Sequence, residues 1–264
     1  MPVEAHTAGG VDSMRRLALV ARQTLLEALR LRLASLFVAL GAALVLLALG
    51  LRDFKFGTAE LKFVADFGLG AIGLLGTLLA ALATAQLFFS DLDCGFAACL
   101  LTKAVRRGEY LGGRLAGVMA LLALFVAGLG LLLGAMLAVR GAQLGATFVS
   151  LPVLLQACAL VWLKVTLVAA MTLLVSSYAG STLFAAWAGL LLAAIAHLRA
   201  FVGPAHGLGW LRIWPDLGLF DVDRVLVNSR GIGGGELLAL GGYWAAFVVL
   251  FAAAAAYVFK HREL

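Results

Sequence analysis

The chain has 264 residues, 64% of them hydrophobic and 13% charged, with a net charge of +6 and a mean hydropathy of +1.06. Soluble domains carry about 25% charge and about 45–50% apolar residues, so this composition excludes a disordered chain and argues against a soluble enzyme. Six apolar runs, 33–51, 64–89, 115–139, 149–175, 178–198 and 237–259, contain only two charges, Asp66 and Lys164. The intervening stretches hold the rest at an ordinary solvated density.

Taken in chain order, residues 1–13 are expected to form a disordered tail. Over 14–32, Arg15, Arg16, Arg22, Gln23, Glu27 and Arg30 fall within one arc of about 140° at helical spacing. Leu17, Ala18, Ala21, Leu25 and Leu29 lie largely opposite. This pattern predicts an amphipathic helix lying in the membrane interface; a basic juxtamembrane segment that only sets orientation is the plainer alternative. Arg15-Arg16 has the look of a twin-arginine signal, but Arg22, Glu27, Arg30 and Arg32 interrupt the stretch behind it. The run ending near Ala48-Leu49-Gly50 is about 18 residues, longer than the roughly 7–15 of a signal peptide. It is expected to stay as the first span.

Each apolar run approaches or exceeds the roughly 20 residues that cross a hydrocarbon core of about 30 Å. Leu and Ala dominate them, both good helix formers, and none shows the polar/apolar alternation of a membrane β-barrel. The expected fold is all-α and integral to the membrane, with six transmembrane helices over 33–264 preceded by the interfacial helix. A turn at Ser176-Ser177-Tyr178-Ala179-Gly180 separates the fourth and fifth spans; without it the count is five and the termini part. Six crossings place both termini, loop 90–114 and loop 176–177 on one side. That side carries eleven basic residues against eight opposite, which orients the termini toward the cytoplasm by the positive-inside rule. The expected location is the cell inner membrane, with the basic balance serving the membrane surface and not nucleic acid. The opposite loop, 199–236, is rich in glycine and places Trp210 and Trp214 at the headgroup level. Its Asp216, Asp221, Asp223 and Arg224 read as a solvated cap, with a cation site as the alternative.

Several motifs lack their required context. Gly68-Leu69-Gly70-Ala71-Ile72-Gly73 spells a dinucleotide fingerprint, but it lies inside an apolar run and not after a strand. Close helix packing is the better reading, through the small-xxx-small pairs Gly73/Thr77, Gly76/Ala80, Ala81/Ala85 and Gly130/Gly134. No GxxxxGK[ST] occurs, so this chain does not cradle ATP as a P-loop ATPase. Of His6, His197, His206 and His261 only His197 borders a span, which excludes a bis-histidine haem or a histidine-built zinc site there. Cys94, Cys99 and Cys158 lack a CxxC spacing and read as free thiols. With no nucleophilic triad and no paired intramembrane carboxylates, the chain is expected to be non-catalytic, with no metal.

Asp66 and Lys164 are the intramembrane charges, and a charge at the bilayer centre costs at least about 2.5–3.5 kcal/mol on insertion scales. Lys164 sits near the middle of the fourth span, flanked by Trp162 and Thr166. Its ammonium would reach a water-filled cleft, an interhelical carbonyl, or a hydroxyl such as Thr84 or Thr77. Snorkelling is the alternative, but about ten residues at 1.5 Å separate it from the nearer end. Asp66 lies one turn from the outer end of the second span and reads as interfacial. The two sit at different depths and are not expected to pair.

The loop 90–117 reads Ser-Asp-Leu-Asp-Cys-Gly-Phe-Ala-Ala-Cys-Leu-Leu-Thr-Lys-Ala-Val-Arg-Arg-Gly-Glu-Tyr-Leu-Gly-Gly-Arg-Leu-Ala-Gly. It is an acidic exit from the second span, a short amphipathic stretch with the apolar patch Phe96, Leu100 and Leu101, then a basic turn. Such a patch beside charges suits docking on a partner protein. This loop resembles that of the permease subunits of type-2 ABC exporters, the ABC-2 permease family. Their pattern is an acidic residue and a glycine, then Leu-Leu-Ser-x-Pro-Val-Ser-Arg-x-x-Tyr-Leu-Leu-Gly-Lys-x-x-Gly. Leu100, Leu101, Val105, Arg107, Tyr110, Leu111, Gly113 and Gly117 match it. Thr102 stands for the serine, Arg114 for the lysine, and Asp91 or Asp93 for the acidic residue. Ala104 replaces the usual proline and Arg106 the second serine. The ending Phe259-Lys260-His261-Arg262-Glu263 and Pro215-Asp216-Leu217 are similar to the family's Arg-Arg-Glu ending and its outer Pro-Asn-Leu.

The resemblance implies a membrane permease in which this loop and the N-terminal interfacial helix contact a separate cytoplasmic ABC ATPase. ATP and Mg would belong to that partner, and this chain would hold no cofactor. ATP binding would move two permeases, a homo- or heterodimer in membrane lipid, about their shared interface. The coupling residues implied are Asp91, Asp93, Phe96, Leu100, Leu101, Thr102, Arg107, Tyr110 and Gly113. Two other readings stay open: an ion- or solute-coupled secondary transporter using Lys164 and Asp66, and a membrane anchor or assembly subunit without transport. A secondary carrier would be expected to show internal repeats with helices broken at midplane, and no repeat is visible.

Overall fold

The computed structural model describes residues 4–50, 60–94, 107–144, 150–199, 214–222 and 231–261. Runs rich in Leu and Ala with no internal proline form long helices, and these are α1 (Glu4–Arg30), α2 (Arg32–Gly50), α3 (Glu60–Asp93), α4 (Arg107–Leu144), α5 (Leu151–Tyr178), α6 (Thr182–Leu198) and α7 (Gly234–Lys260). A 3-10 turn, Leu217–Phe220, lies between α6 and α7. Among the described residues there is no strand.

Helix α1 begins at Glu4, so the expected disordered tail over 1–13 is helical from that residue. No proline falls between residues 3 and 151, so no proline there breaks a helix. Between α1 and α2 the axis bends by 65° without proline or glycine. Here the ladder tightens to i→i−3 bonds, Leu31 N–H to the Ala28 carbonyl and Ala34 N–H to the Leu31 carbonyl, both 3.1 Å; such a local change is a recognised cause of kinks.

The expected turn between the fourth and fifth runs is present but lies later, at 179–181, because Ser176 and Ser177 are buried in α5, where they donate to the Thr172 and Leu174 carbonyls. Helix α5 ends at Tyr178, and Ser181 caps α6 by accepting the Phe184 N–H at 3.4 Å. Among the described residues four helices, α3, α4, α5 and α7, are long and apolar enough to cross a membrane. The bent α1–α2 pair reaches that standard only when taken together, and α6, with 17 residues, is a shorter apolar helix, about 26 Å long at 1.5 Å per residue. The chain therefore has the make-up of a multi-pass integral membrane protein.

Helix α5 is the axis of the bundle and packs on α3, α4, α6 and α7. Every residue from Val165 to Leu173 is buried, so this stretch is enclosed on all sides, as expected of a helix apolar all round. Helices α4 and α5 run antiparallel, because Gly130 lies against Cys158 and Gly134 against Leu154. A Cβ on Gly130 would come 2.6 Å from Cys158 Sγ, and one on Gly134 2.8 Å from Leu154 Cδ2. These two glycines and Gly76, which meets Val165 at 2.9 Å, seat α5 as small packing residues do. Gly73 differs from the sequence expectation, since nothing lies within 4 Å of its would-be Cβ. Helix α7 forms a flank, with Leu238, Val249, Leu250 and Tyr257 exposed.

Candidate functional site

The end of α3 and the start of α4 are the two arms of the patterned loop. Phe96, Leu100, Leu101 and Thr102, the tip of that loop, lie outside the described residues. The arms meet in a buried ionic joint. Arg114, two turns into α4, is only 4% exposed and lies against Asp91, itself 6% exposed, at the end of α3. Its Nη1 donates to Glu27 Oε2 of α1 at 2.9 Å and to Thr24 Oγ1 at 3.2 Å, and its Nη2 donates to the Leu87 carbonyl. The Tyr110 hydroxyl donates to Asp91 Oδ2 at 2.5 Å. One guanidinium thus bridges three helices. The sequence left Asp91 and Asp93 as alternatives for the acidic position; Asp91 is drawn inward, while Asp93 is exposed.

This joint is possible because α1 lies unusually close to α4. A Cβ added to Gly113 would come 2.7 Å from Val20 Cβ, and one on Gly117 would come 2.5 Å from Thr24 Cβ and 2.7 Å from the Ala21 carbonyl. Two glycines of the loop pattern therefore make the seat for α1. The buried face of α1 is Val20, Thr24 and Ala28, spaced by four as a packed helix stripe requires. Arg15, Arg22 and Arg30 of the expected polar arc are exposed, whereas Arg16 and Glu27 stand at its margin toward α4. Arg16 Nε lies 3.6 Å from Glu109 Oε2, and Ser13 Oγ donates to Glu109 Oε1 at 2.7 Å.

Arg107, the first residue of α4, closes the same end of the bundle. Its Nη1 donates to the Phe259 and Lys260 carbonyls at 2.8 and 2.7 Å. These belong to the last turn of α7, whose carbonyls have no partner within the helix. The guanidinium also sits 5.8 Å from the Phe259 ring centroid, within range for a cation–π contact. Phe259 stacks on Tyr110 at 6.1 Å and meets Phe88 edge-on at 5.8 Å. Helices α1, α3, α4 and α7 are thereby fastened to the two arms of one loop.

Lys164 has a different setting. It lies 13 residues from Leu151 and 14 from Tyr178, about 20 Å from either end of α5 at 1.5 Å per residue. Its ammonium donates to Asp221 Oδ1 at 2.6 Å. The candidate hydroxyls face elsewhere: Thr84 donates to the Ala80 carbonyl and Thr77 to that of Leu74. Asp221 follows the 3-10 turn, which is fastened down to this depth. The Asp216 carboxylate accepts the Gly218 N–H at 2.9 Å, the Asp216 N–H donates to the Tyr243 hydroxyl at 2.8 Å, and Arg199 donates to the Trp214 carbonyl. Trp244 Nε1 donates to Thr166 Oγ1 at 2.9 Å, and the Trp162 and Trp244 rings lie 5.6 Å apart. The loop 199–236 is thus more than a solvated cap, since 214–222 reaches the middle of α5. Asp216 and Asp221 are both occupied by these bonds, and Asp223 lies outside the described residues. Among the described residues no group of three or more potential metal ligands occurs. Asp66 is half-buried near the start of α3.

Sequence reasoning marked Asp91, Arg107, Tyr110 and Gly113 but not the central role of Arg114, nor Asp221 as the partner of Lys164. The place of Arg114 at the border of the apolar run 115–139 was no signal by itself, and the acids it meets on α1 and α3 emerge only from the packing. Comparison with models of known protein families yields no match, and no curated protein matches the chain significantly.

Proposed function

We propose that the chain is the membrane-spanning permease subunit of an ABC-2 type exporter, driven by a separate cytoplasmic ABC ATPase that binds ATP and Mg. In this reading the six apolar helices are six spans, α1 is an interfacial helix, and both termini face the cytoplasm from the inner membrane. Two permeases pair in the working transporter. One observation carries the reading: the two arms of the patterned loop are locked to α1 and α7 through Asp91, Tyr110, Arg114, Glu27 and Arg107. A push on the loop tip is then passed to several helices at once, because buried charged hydrogen bonds such as those of Arg114 with Asp91 hold their geometry. Phe96, Leu100, Leu101 and Thr102 are the docking residues of that tip, and Asp93 faces the partner.

Deleting residues 94–107 tests this. The chain should remain in the membrane and lose co-purification of its ATPase; retention of stoichiometric ATPase by the deletion variant overturns the reading. The Lys164–Asp221 pair supports a second reading, an ion-coupled carrier, in place of the Lys164/Asp66 couple that the sequence alone suggests. In that case Lys164→Ala abolishes transport with no ATPase present at all.

A further inference from the structure

Helix α1 presents three faces. The stripe Val20, Thr24 and Ala28 is buried, with Val20 and Thr24 against Gly113 and Gly117 of α4. Arg15, Arg22 and Arg30 are all exposed, and at about 100° per residue they fall within an arc of about 80°, centred about 160° from that stripe. Leu19, 57% exposed, and Leu26, 48% exposed, stand between these arginines. Met14, Ala18 and Leu29, exposed as well, form the third face. The acids of this region are engaged elsewhere: Glu27 accepts from Arg114, and Glu109 holds Arg16 and Ser13. Among the described residues the side chains of Arg15, Arg22 and Arg30 make neither an ion pair nor a hydrogen bond.

We propose that this outer face binds the headgroups of anionic phospholipid in the leaflet beside it, so that the seating of α1 at the ionic joint depends on lipid charge. It presupposes that α1 is interfacial, as in the proposed function. The spacing selects a surface over a single small anion. The arginines are 7 and 8 residues apart, about 10 and about 12 Å along the axis, so each meets an anion of its own. The leucines between them need apolar cover at the same level, which the boundary of headgroups and acyl chains supplies. The face also points away from α4 and outward from the bundle. Arg30 and the exposed Arg32 flank the 65° bend by which α1 passes directly into the apolar α2. An arginine beside an anionic surface contributes about fivefold in equilibrium, so three give up to about 100-fold.

The test uses the full-length chain, without any ATPase, in nanodiscs of phosphatidylcholine alone or mixed equally with phosphatidylglycerol. Hydrogen exchange over 13–30 is the readout. Phosphatidylglycerol should slow exchange there about tenfold or more in the wild type and leave 234–260 unchanged. The effect should vanish in about 1 M salt, where the screening length is about 3 Å. Arg15→Gln, Arg22→Gln and Arg30→Gln together should abolish it while leaving exchange in phosphatidylcholine as in the wild type. The matching Arg15→Lys, Arg22→Lys and Arg30→Lys variant should keep it. Exchange indifferent to phosphatidylglycerol overturns the proposal, as does protection of α1 only on adding an acidic protein partner. An undiminished lipid effect in the glutamine variant also overturns it. If that variant does not insert, a lipid effect that persists in the wild type at high salt does the same. Because no ATPase is present, absence of the lipid effect leaves the permease reading standing, and a lipid effect in a chain that never co-purifies with an ATPase removes only that reading.

Discussion

Replacing Arg114 by methionine should be the most damaging single change at the ionic joint. The guanidinium is 4% exposed and Asp91 6% exposed, so removing the cation leaves Asp91 as an uncompensated charge with little access to water. Breaking a buried pair in this way costs about 3–5 kcal/mol. At roughly 2–4 °C per kcal/mol for chains near this length, the melting temperature in detergent should fall by about 6–20 °C. Glu27 is 32% exposed and rehydrates, so it adds little. The same reasoning fixes the double variant. Arg114→Met with Asp91→Asn removes both charges but keeps an oxygen to accept the Tyr110 hydroxyl, and replacing both members of such a pair is often close to neutral. Scanning fluorimetry on the two single variants and the double variant reads the coupling directly, and the double should recover more than half of the Arg114→Met loss. Losses that simply add would refute the idea that these two side chains stabilise each other.

Three further perturbations follow from the same geometry. Gly117→Leu puts a side chain where a Cβ already meets Thr24 at 2.5 Å, and overpacking of this kind costs about 1–3 kcal/mol; limited proteolysis should then cut α1 readily, while Gly108→Leu, with open space around it, should not change the pattern. Lys164→Ala should raise hydrogen exchange over 214–222, since that segment loses its bond to α5, and Lys164→Ala with Asp221→Ala should exchange more slowly than the single variant. Arg107→Ala removes two donors from the last carbonyls of α7 and should fray 258–261 at a cost of about 1 kcal/mol, because the site is partly solvated; unaltered exchange there would contradict the capping role.

The helices themselves were legible from composition. Each of the six apolar runs is found in its own helix, and the break at 179–181 follows from a short polar stretch ending in a serine cap. Length was less legible: α4 extends from Arg107 to Leu144, well beyond the run 115–139, because its charged first turns are stabilised by α1 and α7 and not by their own propensity. Hydrophobic periodicity reports one face against a generic apolar surface. It therefore separated the polar arc of α1 from the rest but did not show that Val20, Thr24 and Ala28 face the glycines of α4. The partners Glu27–Arg114 and Lys164–Asp221 are 87 and 57 residues apart. Such pairings are settled by the packing of whole helices, to which local patterns are blind. Lys164, a lone charge in an apolar run, marked one half of a pair and left the other to be found.

The central claim is that this chain couples to an ATPase through the loop whose arms form the joint. Its most direct measurement is affinity purification of the full chain from its native membrane in mild detergent, with subunit identification and stoichiometry, beside the 94–107 deletion. The expected result is a P-loop ATPase at one copy per permease in the wild type and none in the deletion variant. A wild-type chain that purifies without any ATPase and still transports when reconstituted alone would contradict it.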